Sequence, residues 1–258
     1  TWFFETFVLK PHAPGYEAFQ SGFEYLFNSY YNSVGKQFPR THRGDISRPT
    51  VREMWAYRDH VDEQMQRFLE SATTEQIETV ASLMEIGCQH EQQHQELILT
   101  DIKHMLSRNP LHPVYRESKP PAGRAPEHVW QSFEGGLVEV GRQGEGFAFD
   151  NEYPRHKVYL EPYRLANRLV TCGEYLEFMR DGGYENPLLW LSNGWATVQS
   201  EGWAAPMYWY DVDGEWQQFT LGGLRPVHPD EPVCHISYYE ADAFARWAAA
   251  RLPREAEW

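Results

Sequence analysis

Through the first 110 residues apolar positions recur at steps of three and four. Beyond them come short alternating runs separated by Gly, Pro and Trp. Over residues 14–34, Tyr16, Phe19, Phe23, Leu26, Phe27, Tyr30 and Val34 fall on one helical face, and Gly35 follows as a stop signal. Thr50 and Glu53 have the spacing of a capping box. The stripe after them, Val51, Met54, Trp55, Val61, Met65, Phe68 and Leu69, predicts a second helix. Thr73 with Gln76 opens a third, which runs to Asn109-Pro110 and is about 50 Å long if unbroken. Thr1–Leu9 also reads as helix but spans barely two turns.

Long helices in an antiparallel bundle need partners of similar length to bury their stripes. A nine-residue partner leaves apolar surface uncovered, and the chain starts without Met, so we expect sequence ahead of Thr1. From Leu111 to Glu127 the texture changes: Pro110, Pro113, Pro120, Pro121 and Pro126 predict an extended linker. In residues 128–258, Gly136–Val140 and Lys157–Leu160 read as strands. Thr171 with Glu174 and Ser237 with Glu240 cap two short helices. The closing Arg254-Glu255-Ala256-Glu257-Trp258 reads as the start of a further element, so this domain too is expected to continue. The expected organisation is α+β: a helical domain over 1–110, a linker over 111–127 and a mixed domain over 128–258.

Composition narrows the function. Lys plus Arg is 23 against 37 Asp plus Glu, a formal charge of −14, which argues against nucleic acid as a partner. No run of 18 apolar residues predicts a membrane-spanning helix. Three scattered cysteines do not make a disulfide framework, and no signal peptide is visible; a cytoplasmic protein is expected. Aromatics at 15%, with ten Trp, predict an aromatic-lined interior.

The sharpest chemical signal is His90-Glu91-Gln92-Gln93-His94-Gln95-Glu96. Histidines at i and i+4 of a helix project from one face with Cβ atoms about 6 Å apart, a spacing that suits one metal ion. The plain alternative is a pair of core histidines satisfied by carboxylates. The string also fits the HExxH zinc-protease pattern, with Glu91 as general base. Against that, Gln92-Gln93 are both polar, and Leu97 and Thr100 stand where the metzincin extension needs Gly and His. His60, Glu96 and a residue ahead of Thr1 are candidates for a third ligand. His104, about 15 Å along the helix, is too far. Tyr30-Tyr31 forms a second constellation, read either as aromatic core or as phenols beside a metal.

Several strings together resemble the ergothioneine-biosynthesis sulfoxide synthases. In the first half they are Phe27-Asn28-Ser29-Tyr30-Tyr31, Arg43-Gly44, Ser47-Arg48-Pro49-Thr50-Val51, Tyr57-Arg58 with His60-Val61-Asp62, and the His90–Glu96 string. In the second half they are Phe149-Asp150-Asn151-Glu152, Leu165-Ala166-Asn167, Ser192-Asn193-Gly194-Trp195, Pro232-Val233 with His235-Ile236-Ser237, and Arg251-Leu252-Pro253 with Glu255-Ala256-Glu257-Trp258. The resemblance implies an N-terminal DinB-like four-helix bundle. A partial C-type-lectin-like domain of the formylglycine-generating, sulfatase-modifying type would follow it.

It further implies a non-heme Fe(II) enzyme that uses O2 to join the sulfur of cysteine or γ-glutamylcysteine to the imidazole of hercynine (trimethylhistidine). His90 and His94 would be iron ligands. The third His ends a stretch just before residue 1, because the chain begins inside the string that follows it, Thr1-Trp2-Phe3-Phe4-Glu5. Gln93 would contact hercynine, and Tyr30 and Tyr31 would be the active-site tyrosine pair. With one ligand and part of the second domain absent, residues 1–258 are expected to be inactive alone. The rival readings are an ovothiol-type histidine–cysteine synthase, a non-catalytic DinB-like binding module and the zinc protease.

Overall fold

The backbone of Thr50 is extended, and its hydroxyl accepts the Glu53 N–H at 3.3 Å while the Glu53 carboxylate accepts the Thr50 N–H at 2.8 Å. This reciprocal pair satisfies two donors that a helix start leaves open, and α4 (Val51–Ser71) follows. Thr73 and Gln76 repeat the device ahead of α5 (Thr74–Ser107), 34 residues without a break. Both long helices form where predicted, but the α4 stripe is corrected in part: Val61 and Phe68 are buried, whereas Val51, Trp55 and Leu69 are exposed, and Tyr57 joins the buried face. The structure is a computed structural model that describes residues 1–119 and 123–258; Pro120 and Pro121, two of the predicted linker prolines, lie outside the described residues. The chain divides into two compact units, Thr1–Leu97 and Ile98–Trp258.

In the first unit, α1 (Trp2–Phe4) runs directly into a π-wound stretch, Glu5–Leu9, and then α2 (Lys10–His12), followed by α3 (Ser21–Phe27). Val8, Leu9, Phe23, Tyr57, Val61, Phe68 and Val80 make its core. Inside it lies a carboxylate, Glu5, only 1% exposed. It accepts hydrogen bonds from the Tyr57 phenol (2.5 Å), the Tyr16 phenol (2.7 Å) and, more weakly, the Phe19 N–H (3.4 Å). Burial first, and the carboxylate second, push both phenol pKa values up, so they remain donors. The network ties the first helical stretch to α4 and to the segment before α3.

The helix predicted over 14–34 is corrected to Ser21–Phe27. Asn28 ends it. Its buried side chain accepts the Tyr31 N–H at 2.9 Å and donates to the carbonyls of Tyr31 (2.9 Å) and Gly35 (3.3 Å). A short amide that offers the backbone this alternative competes with helix propagation. Tyr30 and Tyr31 therefore stand in a loop and not on a helical stripe.

The second unit has three small antiparallel sheets. β1 (Trp130–Phe133) pairs with β4 (Tyr163–Ala166), and β2 (Gly136–Val140) with β3 (His156–Leu160). β5 (Trp209–Val212), β6 (Glu215–Thr220) and β7 (Gly223–Pro226) form a meander. The tight turn between β5 and β6 is Asp213-Gly214, both with positive φ, as a two-residue hairpin of this hand requires. Capping boxes start α6 (Cys172–Arg180) and α8 (Tyr238–Trp247), as the sequence predicts; α7 (Ser192–Glu201) was not among the predicted helices. Tyr175, Phe178, Tyr184, Trp190, Val198 and Ala243 form this unit's core. Part of the predicted linker pairs within the unit, since Tyr115 and Arg116 both donate their N–H to the Leu221 carbonyl.

Removing the Glu5 carboxylate leaves one buried phenol, Tyr57, and one half-buried phenol, Tyr16, without their acceptor. Glu5→Ala is expected to destabilise the chain by about 3 kcal/mol and Tyr57→Phe by about 1 kcal/mol. Urea unfolding followed by Trp fluorescence checks the ranking; a Glu5→Ala chain as stable as the parent contradicts the role of the network.

Candidate metal centre

His90 and His94 lie one helical turn apart on α5, and their rings face each other. The Nε2 atoms are 3.1 Å apart and the ring centroids 4.5 Å. Two donors held about 2.1 Å from one ion at about 90° are about 3.0 Å apart, so this separation suits neighbouring ligands of a six-coordinate ion. Without an ion the same geometry is a hydrogen bond from one neutral ring to the other, which excludes protonating both. His90 is half-buried, whereas His94 is exposed, so the pair is not a core pair. Burial lowers the His90 pKa, with His94 and the Thr1 amino group adding to the effect and Glu91 opposing it. Among the described residues no third His, Cys, Asp or Glu completes a ligand set.

The first helix lies close to the pair. The Phe3 ring is 5.5 Å from His90. The Thr1 amino group, its pKa lowered mainly by burial, also feels Glu91 and Arg58. Gly87, one turn before His90, makes this approach possible: a Cβ there would stand 2.7 Å from Phe4 Cζ and 3.0 Å from Phe3 Cε1. The helical wheel places Gly87 beside His90 and His94, but its partners, Phe3 and Phe4, lie more than eighty residues away and have no local signal.

The two tyrosines separate. Tyr31 is half-buried among Trp2 (5.7 Å, stacked), Phe7 (5.0 Å) and Phe3 (6.4 Å), so Phe3 touches both Tyr31 and His90. Burial raises the Tyr31 pKa, which keeps its phenol protonated. Tyr30 is 74% exposed and packs on Tyr31 alone among these rings; its predicted position on an apolar helix face is corrected. Gln93 precedes His94 and is exposed on α5. His60 is engaged elsewhere, at 3.1 Å from the Glu17 carbonyl and against the rings of Tyr16 and Phe19. Glu91 is held by Arg58 (3.3 Å), which also binds Asp62 (2.8 Å). A carboxylate paired in this way is poorly placed to serve as the general base of a zinc protease.

Comparison with known proteins adds the following. The family model of the sulfatase-modifying factor enzyme 1-like domain matches residues 115–258. Hercynine oxygenase of Mycolicibacterium smegmatis is 39% identical over 174 residues, covering 66% of this chain and 39% of that protein. Hercynine oxygenase of Mycolicibacterium thermoresistibile is 33% identical over 252 residues, covering 96% of this chain and 52% of that protein. Formylglycine-generating enzyme of Streptomyces coelicolor is 32% identical over 127 residues, 45% of this chain and 40% of that protein. The chain thus spans about half or less of the length of these relatives.

Two expectations follow from the geometry. Ala at Gly87 gains about 1 kcal/mol of helix propensity but must displace two phenyl rings, at a cost of about 1–3 kcal/mol. Gly87→Ala is therefore expected to lower the Tm, whereas Gly22→Ala in α3, with open space around its Cβ, raises it. A Gly87→Ala chain that gains as much as Gly22→Ala contradicts the close approach. In an NMR titration of the metal-free chain, His90 is expected to titrate below 6.5. The neutral ring is the form the fold favours, so its contribution to stability is complete above pH 6.5 and is lost as pH falls below it. A midpoint at or above 6.5 refutes this.

Proposed function

Because the chain belongs to the sulfatase-modifying factor enzyme 1-like domain family, and relatives along most of its length are hercynine oxygenases, we propose that it is part of an iron(II)-dependent sulfoxide synthase of ergothioneine biosynthesis. In this reading it joins the imidazole of hercynine to the sulfur of cysteine or γ-glutamylcysteine at the expense of O2. The observation that carries the reading is the facing pair of imidazole nitrogens 3.1 Å apart on α5. A pair of imidazoles, one half-buried and one exposed, suits an ion that must keep coordination positions open.

His90 and His94 would hold the iron. A third imidazole is assigned ahead of Thr1, on the side of the first helical stretch that packs on His90 through Phe3. When bound, iron(II) supplies binding of the thiolate and activation of O2. The remaining roles belong to the chain's own side chains. The Tyr31 phenol, kept protonated by burial, holds a proton to deliver at its oxygen. Trp2, Phe3, Phe7 and Tyr31 cluster as an aromatic wall, a surface that attracts a quaternary ammonium such as that of trimethylhistidine. The Gln93 amide offers one donor and one acceptor group to an imidazole or carboxylate. Tyr30, exposed beside Tyr31, is assigned as the outer member of the tyrosine pair.

Anaerobic titration with Fe(II) or Co(II) tests the centre. His90→Ala and His94→Ala are each expected to weaken binding by at least about tenfold. Supplied with the residues that precede Thr1 and the remainder of the second domain, the protein is expected to consume hercynine and a cysteine-type thiol only in the presence of O2. Residues 1–258 alone are expected to bind the ion without turnover. Zinc-dependent peptide cleavage, or no metal binding at all, overturns the proposal, and turnover by residues 1–258 alone overturns the placement of the third ligand.

A further inference from the structure

Within the second unit, a cavity of about 530 Å³ is lined by Lys103 from the last turns of α5, by Arg124, Arg168 and Arg225, and by Asp230 and Glu231. Most of these charges are already spent. Arg168 forks onto Glu174 at 2.8 and 2.9 Å. Glu231 accepts from Arg225 Nη2 at 2.6 Å and from Gln218 at 2.7 Å. Asp230 accepts the Ala125 N–H at 3.0 Å.

Lys103 differs. Its Nζ lies 2.6 Å from His235 Nε2 and 4.8 Å from the centre of the Tyr208 ring. Neither neighbour is an anion, and His235 Nε2 accepts one of three ammonium N–H donors. Burial lowers the Lys103 pKa; Cys234 opposes that and the charge of Arg225 adds to it. Burial also raises the Cys234 pKa, so this thiol stays neutral and does not balance the ammonium. The two residues that hold Lys103 have left-handed backbone, with φ +71° at Tyr208 and +61° at His235. Non-glycine residues adopt that conformation at a cost, and such positions cluster at ligand sites.

Lys103 and Arg225 line one cavity, but Glu231 balances Arg225, which leaves the Lys103 ammonium with free N–H donors and no carboxylate on it among the described residues. An oxyanion there supplies the counter-charge and takes up those donors. We infer that this cavity binds a small organic anion whose carboxylate or phosphate group is held by Lys103. The cavity volume falls in the range of about 300–1,000 Å³ typical of small-molecule sites. Leu169, Pro126 and Pro232 give it an apolar wall beside the charges, so the molecule has an apolar body as well as an anionic head. The inference does not depend on the metal centre.

Calorimetric titration of the whole chain with inorganic phosphate and, separately, with acetate tests it. One-site saturable binding of at least one probe is expected, weakened at least about tenfold in Lys103→Met, kept within about threefold in Lys103→Arg and unchanged in His94→Ala. A preference for phosphate over acetate, or the reverse, identifies the head group. Cys234 lines the same cavity, so the bound probe should also slow its alkylation by iodoacetamide in the unmodified chain, while exposed Cys88 reacts at an unchanged rate. That readout holds even if Lys103→Met fails to fold. No saturable binding of either probe, equal binding by Lys103→Met, or alkylation of Cys234 insensitive to the bound probe overturns the inference.

Discussion

Two imidazoles with their Nε2 atoms 3.1 Å apart cannot both carry a proton on those atoms without strong repulsion, and this constraint governs the site on α5. One ring must accept what the other donates, or both must turn lone pairs toward a shared cation. The helix supplies the spacing, because residues four apart stand one above the other. Helix geometry alone leaves the rings free to rotate outward. Phe3 packs against His90 and limits that freedom on one side. It does so only because Gly87 leaves room for the phenyl rings of Phe3 and Phe4.

Holding Phe3 in place is a task for groups outside the pair. The first helical stretch is short, and short helices gain little from propensity. Its anchor is Glu5, whose carboxylate is buried with two phenols as donors. A buried carboxylate is costly unless it is hydrogen-bonded, so the network fixes the register of the stretch: moving Glu5 by one position would bury a charge without donors. The π-winding of Glu5–Leu9 lies in the same few residues. Single π-wound turns recur near functional sites because they shift the side chains that follow relative to those before. Here Glu5 opens the π-wound stretch and Phe7 lies within it, while Trp2 and Phe3 precede it.

What could be read from the sequence was what depends on near neighbours. The capping boxes at Thr50, Thr171 and Ser237 join residues three apart, and each starts a helix where the spacing predicts. The facing histidines follow from an interval of four. Tyr30 was misplaced because the apolar periodicity continues past Phe27, while one polar side chain, Asn28, diverts the backbone. The hydrophobic pattern carries no sign of that competition. The hairpin at Asp213-Gly214 had a local signal in the Asp-Gly pair and was overlooked. Gly87 against Phe4, and Lys103 against His235, join residues distant in the chain, and single-residue patterns do not specify such partners.

The chemistry and the family assignment rest on different parts of the chain. The sulfatase-modifying match begins at residue 115, after the histidine pair, so it establishes the architecture of the second unit and transfers no chemistry to the first. Function has to be argued from the site itself. There the pairing of Glu91 with Arg58 is as informative as the histidines. A hydrolytic HExxH centre needs its Glu free to take a proton from a metal-bound water. This Glu is tied to a guanidinium that also binds Asp62, which leaves two imidazoles and, beside His90, the aromatic cluster of Phe3, Phe7, Trp2 and Tyr31. Those features suit a reaction in which protons and substrates are steered by tyrosine and aromatic groups more than one in which a carboxylate activates water. The same string of residues that fits a protease pattern thus argues against that hydrolytic role once its Glu is seen to be engaged.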